Sequence, residues 1–287
     1  MAENNPTLRR RRLGGRLREL RKQAGLTVEQ AAEVLLCTPS KISRMENAQR
    51  GASQRDVRDL CAAYGITDEE LIDQLMTLAR EIRKPGLKHE HGDLGNDALY
   101  TYMELEAGAS SITEFQTACF PGLLQTEDYA RALIRGLLPR MADDVLERRV
   151  AARMARQPAV LERPKPPRYW AFIDEAVLHR RVGGTEIMRA QLEHALVVAE
   201  KRHVTLQVVP FDKGAYMGAG SPFVYLEMEE GVGSHVVYIE ILVRNEYLER
   251  ADDLDVHREA IDQIRATALD PHASLEHIAR MMRAYMD

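Results

Sequence analysis

Apolar positions near the start of the chain recur at helical spacing. Leu13, Leu17, Leu20 and Ala24 share one face and Gly25 supplies a stop, so the spacing predicts a helix ending there. Thr27, with Gln30 three residues on, forms a capping box for a second helix whose inner face is Ala31, Ala32 and Leu35. After the short turn Leu36-Cys37, Thr38-Pro39 reads as a cap followed by proline at the first helical position. The third helix, through Glu46, turns Ile42 and Met45 inward and leaves Ser40, Lys41, Ser43 and Arg44 outward. Helices over 53–64 and 68–81, carrying Val57, Leu60, Tyr64, Leu71, Leu75 and Leu78, complete a five-helix bundle.

Lys84 to Gly92 breaks this pattern with one proline and two glycines, which places a linker at 85–95. Beyond it the periods alternate. Helices are expected at 96–109, from Thr126, at 143–156, 185–201, 255–268 and 274–285. Strands are expected at 111–116, 168–173, 204–209, 222–228 and 235–242. The expected fold is multidomain: a basic arm (1–12), an all-α helix-turn-helix domain (13–84), and an α/β or α+β domain (96–287) built on a single sheet with flanking helices.

Length and composition sharpen this. A chain of 287 residues, 45% hydrophobic and 29% charged, suits two globular domains. No apolar run approaches the roughly 18–20 residues of a membrane span, and the N-terminus lacks the apolar core of a signal peptide. The expected location is therefore the cytoplasm, at the nucleoid, without membrane attachment. Cys37, Cys61 and Cys119 are widely spaced and form no C-x-x-C pair, which points to buried reduced thiols. Residues 1–58 hold 13 Lys/Arg against 6 Asp/Glu, while the remainder holds 26 against 38. A basic head on an acidic body is the distribution of a nucleic-acid-binding module joined to a domain that does not bind nucleic acid.

Two short helices separated by a few residues, the second with a polar and cationic outer face, meet the requirement for reading a DNA major groove, which is about 12 Å wide and admits one helix. Thr27, Thr38, Pro39, Ser40, Lys41, Ser43 and Arg44 are the candidate contacts to double-stranded DNA. Arg9, Arg10, Arg11 and Arg12 read either as an arm entering a minor groove or as a solvated charge run at a frayed terminus. One recognition helix contacts few base pairs, so a homodimer is expected.

Chemistry other than recognition finds little footing. There is no H-E-x-x-H, phosphate loop, G-x-G-x-x-G after a strand, or G-x-S-x-G elbow, so neither an enzyme nor a cofactor is expected. His89 and His91 lack further ligands at useful spacing, which argues against a metal. Asp174-Glu175 after a strand reads first as a helix cap with an acidic first turn. Glu240, among apolar neighbours, reads as the wet face of the sheet. Two candidate sites for a small-molecule effector or a small partner protein remain. One is the loop 213–221, where three glycines flank Tyr216 and Met217. The other is the row Arg148, Arg149, Arg153 and Arg156 on one helix. A flexible connection explains the loop equally well, and a solvated face the row.

Residues 13–81 resemble the Xre/Cro-type helix-turn-helix family. Leu26-Thr27, Ala31-Ala32, Ile42-Ser43-Arg44-Met45-Glu46-Asn47 and Tyr64-Gly65-Ile66 match its pattern. The resemblance implies that Pro39, Ser40 and Arg44 face base edges, that Thr27 and Lys41 lie near phosphates, and that Arg21 pairs with Glu46. Val28 departs from the family's frequent glutamine, and Leu36 from its frequent turn glycine. From about residue 94 onward the chain resembles the second domain of WhiJ-like actinomycete regulators. The carriers are Tyr102-x-x-Leu105-Glu106, Pro121-Gly122-Leu123-Leu124-Gln125-Thr126, Arg153-x-x-Arg156-Gln157 and Val208-Val209-Pro210-Phe211. An excess of arginine over lysine, 32 to 7, suits a GC-rich genome such as that of an actinomycete. The resemblance implies a regulator of development or secondary metabolism, often encoded beside a small partner protein. Two functional expectations follow: a C-terminal domain that receives a signal, or one that serves as a platform for a partner.

Overall fold

The computed structural model describes residues 6–82, 97–228, 235–241 and 245–285. The linker at 85–95, with His89 and His91, lies outside the described residues. The chain divides into two compact units. Of the described residues, the first takes in 6–82, 99–108 and 228, and the second the rest.

Five helices build the first unit: α1 (Pro6–Gln23), α2 (Val28–Val34), α3 (Pro39–Glu46), α4 (Gln54–Ala63) and α5 (Glu69–Glu81). Local chemistry marks most of their starts. Thr27 accepts from the Gln30 amide while Gln30 reaches back to the Thr27 amide, and Ser53 with Asp56 repeats that reciprocal cap on α4. Leu13, Leu17, Leu20, Ile42, Met45, Leu60 and Leu75 form the centre of one core, each nearly inaccessible to solvent. Gly14 lies where α1 crosses the end of α3. A Cβ there would run into the carbonyl oxygen of Met45 and come within 2.8 Å of that of Glu46.

The first helix begins earlier than the apolar pattern suggested, and this corrects the basic arm. Residues 6–12 continue α1, and Arg9 and Arg11 are buried, at 4% and 6% exposure. Arg9 sits one turn before Leu13 on the same stripe, so its stem lies along the core. Its guanidinium donates to the Glu81 carbonyl (2.9 Å) and meets the Glu81 carboxylate (3.5 Å), at the negative end of α5. Arg10 and Arg12 are half-buried. Helix α6 (Asp97–Gly108) contributes its residues 99–108 to this same unit: Glu104 accepts from the Thr7 amide, and Tyr102 donates to buried Glu106 (2.7 Å).

The second unit is one six-stranded mixed sheet with helices on both faces. Its strands are β1 (Ala109–Gln116), β2 (Arg168–Asp174), β3 (Val204–Val209), β4 (Phe223–Met228), β5 (Val236–Glu240) and β6 (Asn245–Leu248), ordered β3-β2-β1-β4-β5-β6. β1, β2 and β3 are parallel, with Phe115 opposite Phe172. The helices between them are α7 (Glu127–Leu137) and α8 (Asp143–Leu161) before β2, then short α9 (Ala176–His179) and α10 (Thr185–Ala199) before β3. Ser110 donates to the Glu227 carbonyl and Phe115 lies against Phe223, so β4 runs antiparallel to β1. β5 and β6 continue antiparallel.

Helix α11 (Ala251–Thr267) covers one face through Leu254, Ile261 and Ile264, against Phe115, Phe172, Phe223 and Val237. Helix α12 (Pro271–Ala284) follows. The segment before it and its first turn cover the outer edge of β3, where the Leu269 amide donates to the Val208 carbonyl and the Ser274 hydroxyl accepts from the Val208 amide. No described helix is long and apolar enough to cross a membrane.

Candidate nucleic-acid interface

The helix expected to read DNA is α3. Ile42 and Met45 face the core at 0% and 2% exposure, while Pro39, Ser40 and Arg44 are exposed and Ser43 is half-exposed. Thr38 holds the N-cap position and is exposed, but its side chain makes no capping hydrogen bond. Arg44 donates from Nε to the Ser40 carbonyl at 3.3 Å, which lays its stem along the helix and leaves its terminal nitrogens outward. The turn into α3 passes through Leu36, which is 95% exposed and held at φ +49°. That is the left-handed region in which a glycine is unstrained.

What fixes α3 is a buried ion pair. Arg21, from α1, donates from Nε to Glu46 Oε1 at 2.6 Å and from Nη2 to Oε2 at 2.9 Å, and its Nη1 donates to the Leu26 carbonyl at 2.8 Å. This fork locks the first helix to the last turn of α3 and to the start of the turn before α2.

Lys41, expected near phosphate, is tied to Asp56 at 2.7 Å. Burial works against the Asp56 carboxylate, but Lys41 and the Ser53 cap together hold it below its usual range. Two exposed arginines absent from the expected contacts lie close by. Arg18 reaches Asn47 at the end of α3 (3.5 Å), and the Arg50 amide donates to the Arg44 carbonyl. Neither belonged to a cap or an apolar period, so spacing gave no signal for them.

In the second unit, the turn Pro121 to Thr126 is clamped by side chains. Gln191 of α10 accepts from the Thr126 amide (2.8 Å) and donates to the Leu124 carbonyl (2.6 Å). Gln157 of α8 donates to the carbonyls of Gly122 and Gln125, and Arg153 donates to Gln125 Oε1 at 2.7 Å.

Residues 12–75 match the family model of a helix-turn-helix domain. Residues 99–280, more than half of the chain, match that of a domain of unknown function, DUF5753. The chain belongs to the DUF5753 family. No curated protein and no solved structure matches it.

Within the DUF5753 region, two proposed ligand or partner features take structural roles. Tyr216 donates to Asp174 Oδ2 (2.5 Å) and sets its ring edge-on to Phe115. The loop 213–221 thereby closes over the carboxyl end of β1 and β2, with Met217 left partly exposed. Asp174 also accepts from the Ala176 amide, and Glu175 accepts from the Phe211 amide and meets His277 at 3.0 Å. The arginine row is likewise not a free cationic face. Arg148 pairs with Asp144 within its own helix, Arg149 is half-buried, and Arg153 holds the 121–126 turn.

Burial pushes the Cys119 thiol up to about 11, and all three cysteines are free, with Cys61 the buried one. Glu240 is exposed. Among the described residues no cluster of His, Cys, Asp or Glu could hold a metal ion.

Proposed function

We propose that the protein is a sequence-specific, dimeric transcriptional regulator of the Xre/Cro type, acting in the cytoplasm at the nucleoid, in which the DUF5753 domain receives a signal and performs no catalysis. The observation that carries the reading is the outward face of α3. Ser40 and Arg44 are presented to solvent on a helix whose other side is anchored in the core and whose end is fixed by Arg21 and Glu46. Arg44 supplies the forked donor that reads a guanine edge. Arg18 and Arg50 are the cations available for phosphate, in place of the occupied Lys41.

The WhiJ-like resemblance, on Pro121 to Thr126 and Arg153-x-x-Arg156-Gln157, supports a setting in actinomycete development or secondary metabolism. A small partner protein is the second reading for the signal. It draws less support, because Arg148 and Arg153 are engaged within their own domain.

The test is selection from randomised duplex DNA at two salt concentrations, followed by sequencing of the bound fraction. Enrichment of an inverted repeat is expected, with half-sites spaced by whole helical turns. Arg44→Ala should cost about 1–3 kcal/mol on the selected site and little on random duplex. Equal loss on both would make Arg44 a phosphate contact, and salt-sensitive retention without a motif would remove the sequence-specific reading.

A further inference from the structure

The carboxyl end of the parallel strands, where open α/β sheets usually take ligands, is closed here by Tyr216. The open space lies at the opposite end, on the face that α11 only partly covers. A groove of about 400 Å³ runs between the sheet and α11, over Ser111 and Thr113 of β1, Trp170 of β2 and Thr205 of β3. That volume lies in the range of small-molecule sites.

Its lining is rich in hydrogen-bond donors. Arg168, Arg202, Arg258 and Arg265 stand around it against two carboxylates, Glu227 and Asp262. Arg168 and Arg265 are paired with those carboxylates, at 3.5 Å and 3.0 Å. Arg258 meets Asp255, and Arg202 makes no ion pair among the described residues. Two further groups are unusual. Tyr225 is 98% buried and lies under Arg258 (5.9 Å from guanidinium to ring centre), which can only donate, so the Tyr225 hydroxyl hydrogen finds no acceptor. His203 Nε2 is buried in the same lining and also lacks a partner. A buried polar atom left without a partner costs on the order of 1–3 kcal/mol, so two of them in one donor-rich groove mark a place for an acceptor.

We infer that this groove binds a small organic anion rich in acceptor oxygens, a phosphate ester or a polycarboxylate, held by the arginines with Tyr225 and His203. The proposal rests on the reading of the DUF5753 domain as the receiver of a signal and names the chemistry of that signal.

The molecule carries its own reporter. Trp170 is the single tryptophan of the chain, lines the groove, and lies 4.4 Å beneath the Arg265 guanidinium. The experiment is titration of the full chain, without DNA, with sodium pyrophosphate, with sodium citrate, and with sodium chloride at matched ionic strength, following tryptophan fluorescence. A saturable change is expected with pyrophosphate or citrate and none with chloride, and the stronger of the two distinguishes phosphate from carboxylate. Arg202→Gln, at an exposed position where folding is not at stake, should weaken it at least 5-fold, and Tyr225→Phe should weaken it further.

Absence of saturation with both polyanions, or an unchanged response in both variants, overturns the proposal. So does a short duplex that shifts the fluorescence while neither small anion does, since that would hand the groove to nucleic acid. Because no step needs an operator, a negative DNA selection with a positive titration would sink the regulator and leave the anion site standing.

Discussion

Two residues beside α3 carry opposite conformational demands. Gly14 admits the backbone of α3 only because it has no Cβ: the carbonyls of Met45 and Glu46 occupy that space, and carbonyls of a helix end cannot step aside as a flexible side chain would. Gly14→Ala must therefore push α1 away from α3 and disturb the Arg21–Glu46 fork. The expected loss is about 1–3 kcal/mol, the usual range for overpacking. Leu36 is the reverse case, a γ-branched residue at φ +49° with its side chain in solvent. Leu36→Gly should raise stability by up to about 1 kcal/mol, the relief of left-handed strain less the entropy glycine loses on folding. Urea unfolding followed by far-ultraviolet dichroism checks both, and the same sign for the two variants would contradict this account.

At the scale of elements, what was legible followed from local chemistry. The reciprocal caps at Thr27 and Ser53 and the period of Ile42 and Met45 depend on residues a few positions apart, and α2, α3 and α4 fall close to where those signals put them. The strand Asn245–Leu248 was not foreseen, since its four residues are all half-buried and show no alternation to read. The start of α1 was missed because four consecutive arginines read as a charge run, whereas burial of Arg9 depends on a carbonyl seventy-two residues away. The anion groove was illegible for the same reason: its lining is assembled from β1, β2, β3, β4, α11 and the turn before β3, and no segment holds a motif.

The 121–126 turn lies between these cases. Its composition announced a turn, but its fixation comes from α8 and α10. Gln191→Leu would strand the Thr126 amide and the Leu124 carbonyl together. A loss of about 2–6 kcal/mol is expected, since each stranded buried group costs about 1–3, read as an earlier urea midpoint of Trp170 fluorescence. Gln191→Glu keeps the acceptor for Thr126 and should fall between the variant and the parent.

For the molecule as a whole, the charge asymmetry concerns binding, whereas the pH response of stability is set by a few buried groups. His194, on α10, has its Nε2 buried without a partner, and burial, assisted by Lys201, holds its pKa below the ordinary value. A histidine with a depressed native pKa favours the folded state while neutral. Its contribution is thus complete above the unfolded pKa of about 6.5 and is lost as pH falls through the native value. Asp56 and Glu175 are also depressed: burial opposes both, and Lys41 with Ser53 in one case, the Phe211 amide with His277 and His179 in the other, outweigh it. Their contributions hold above the ordinary carboxylate range and fail only at lower pH. Stability of the second unit, which holds His194 and Glu175 but not Asp56, should therefore decline in two stages on acidification when followed through Trp170, first below about pH 6.5 and then below about pH 4.5. His194→Leu should remove the first stage and keep the second. If the upper stage survives in that variant, the proton that costs the stability enters elsewhere.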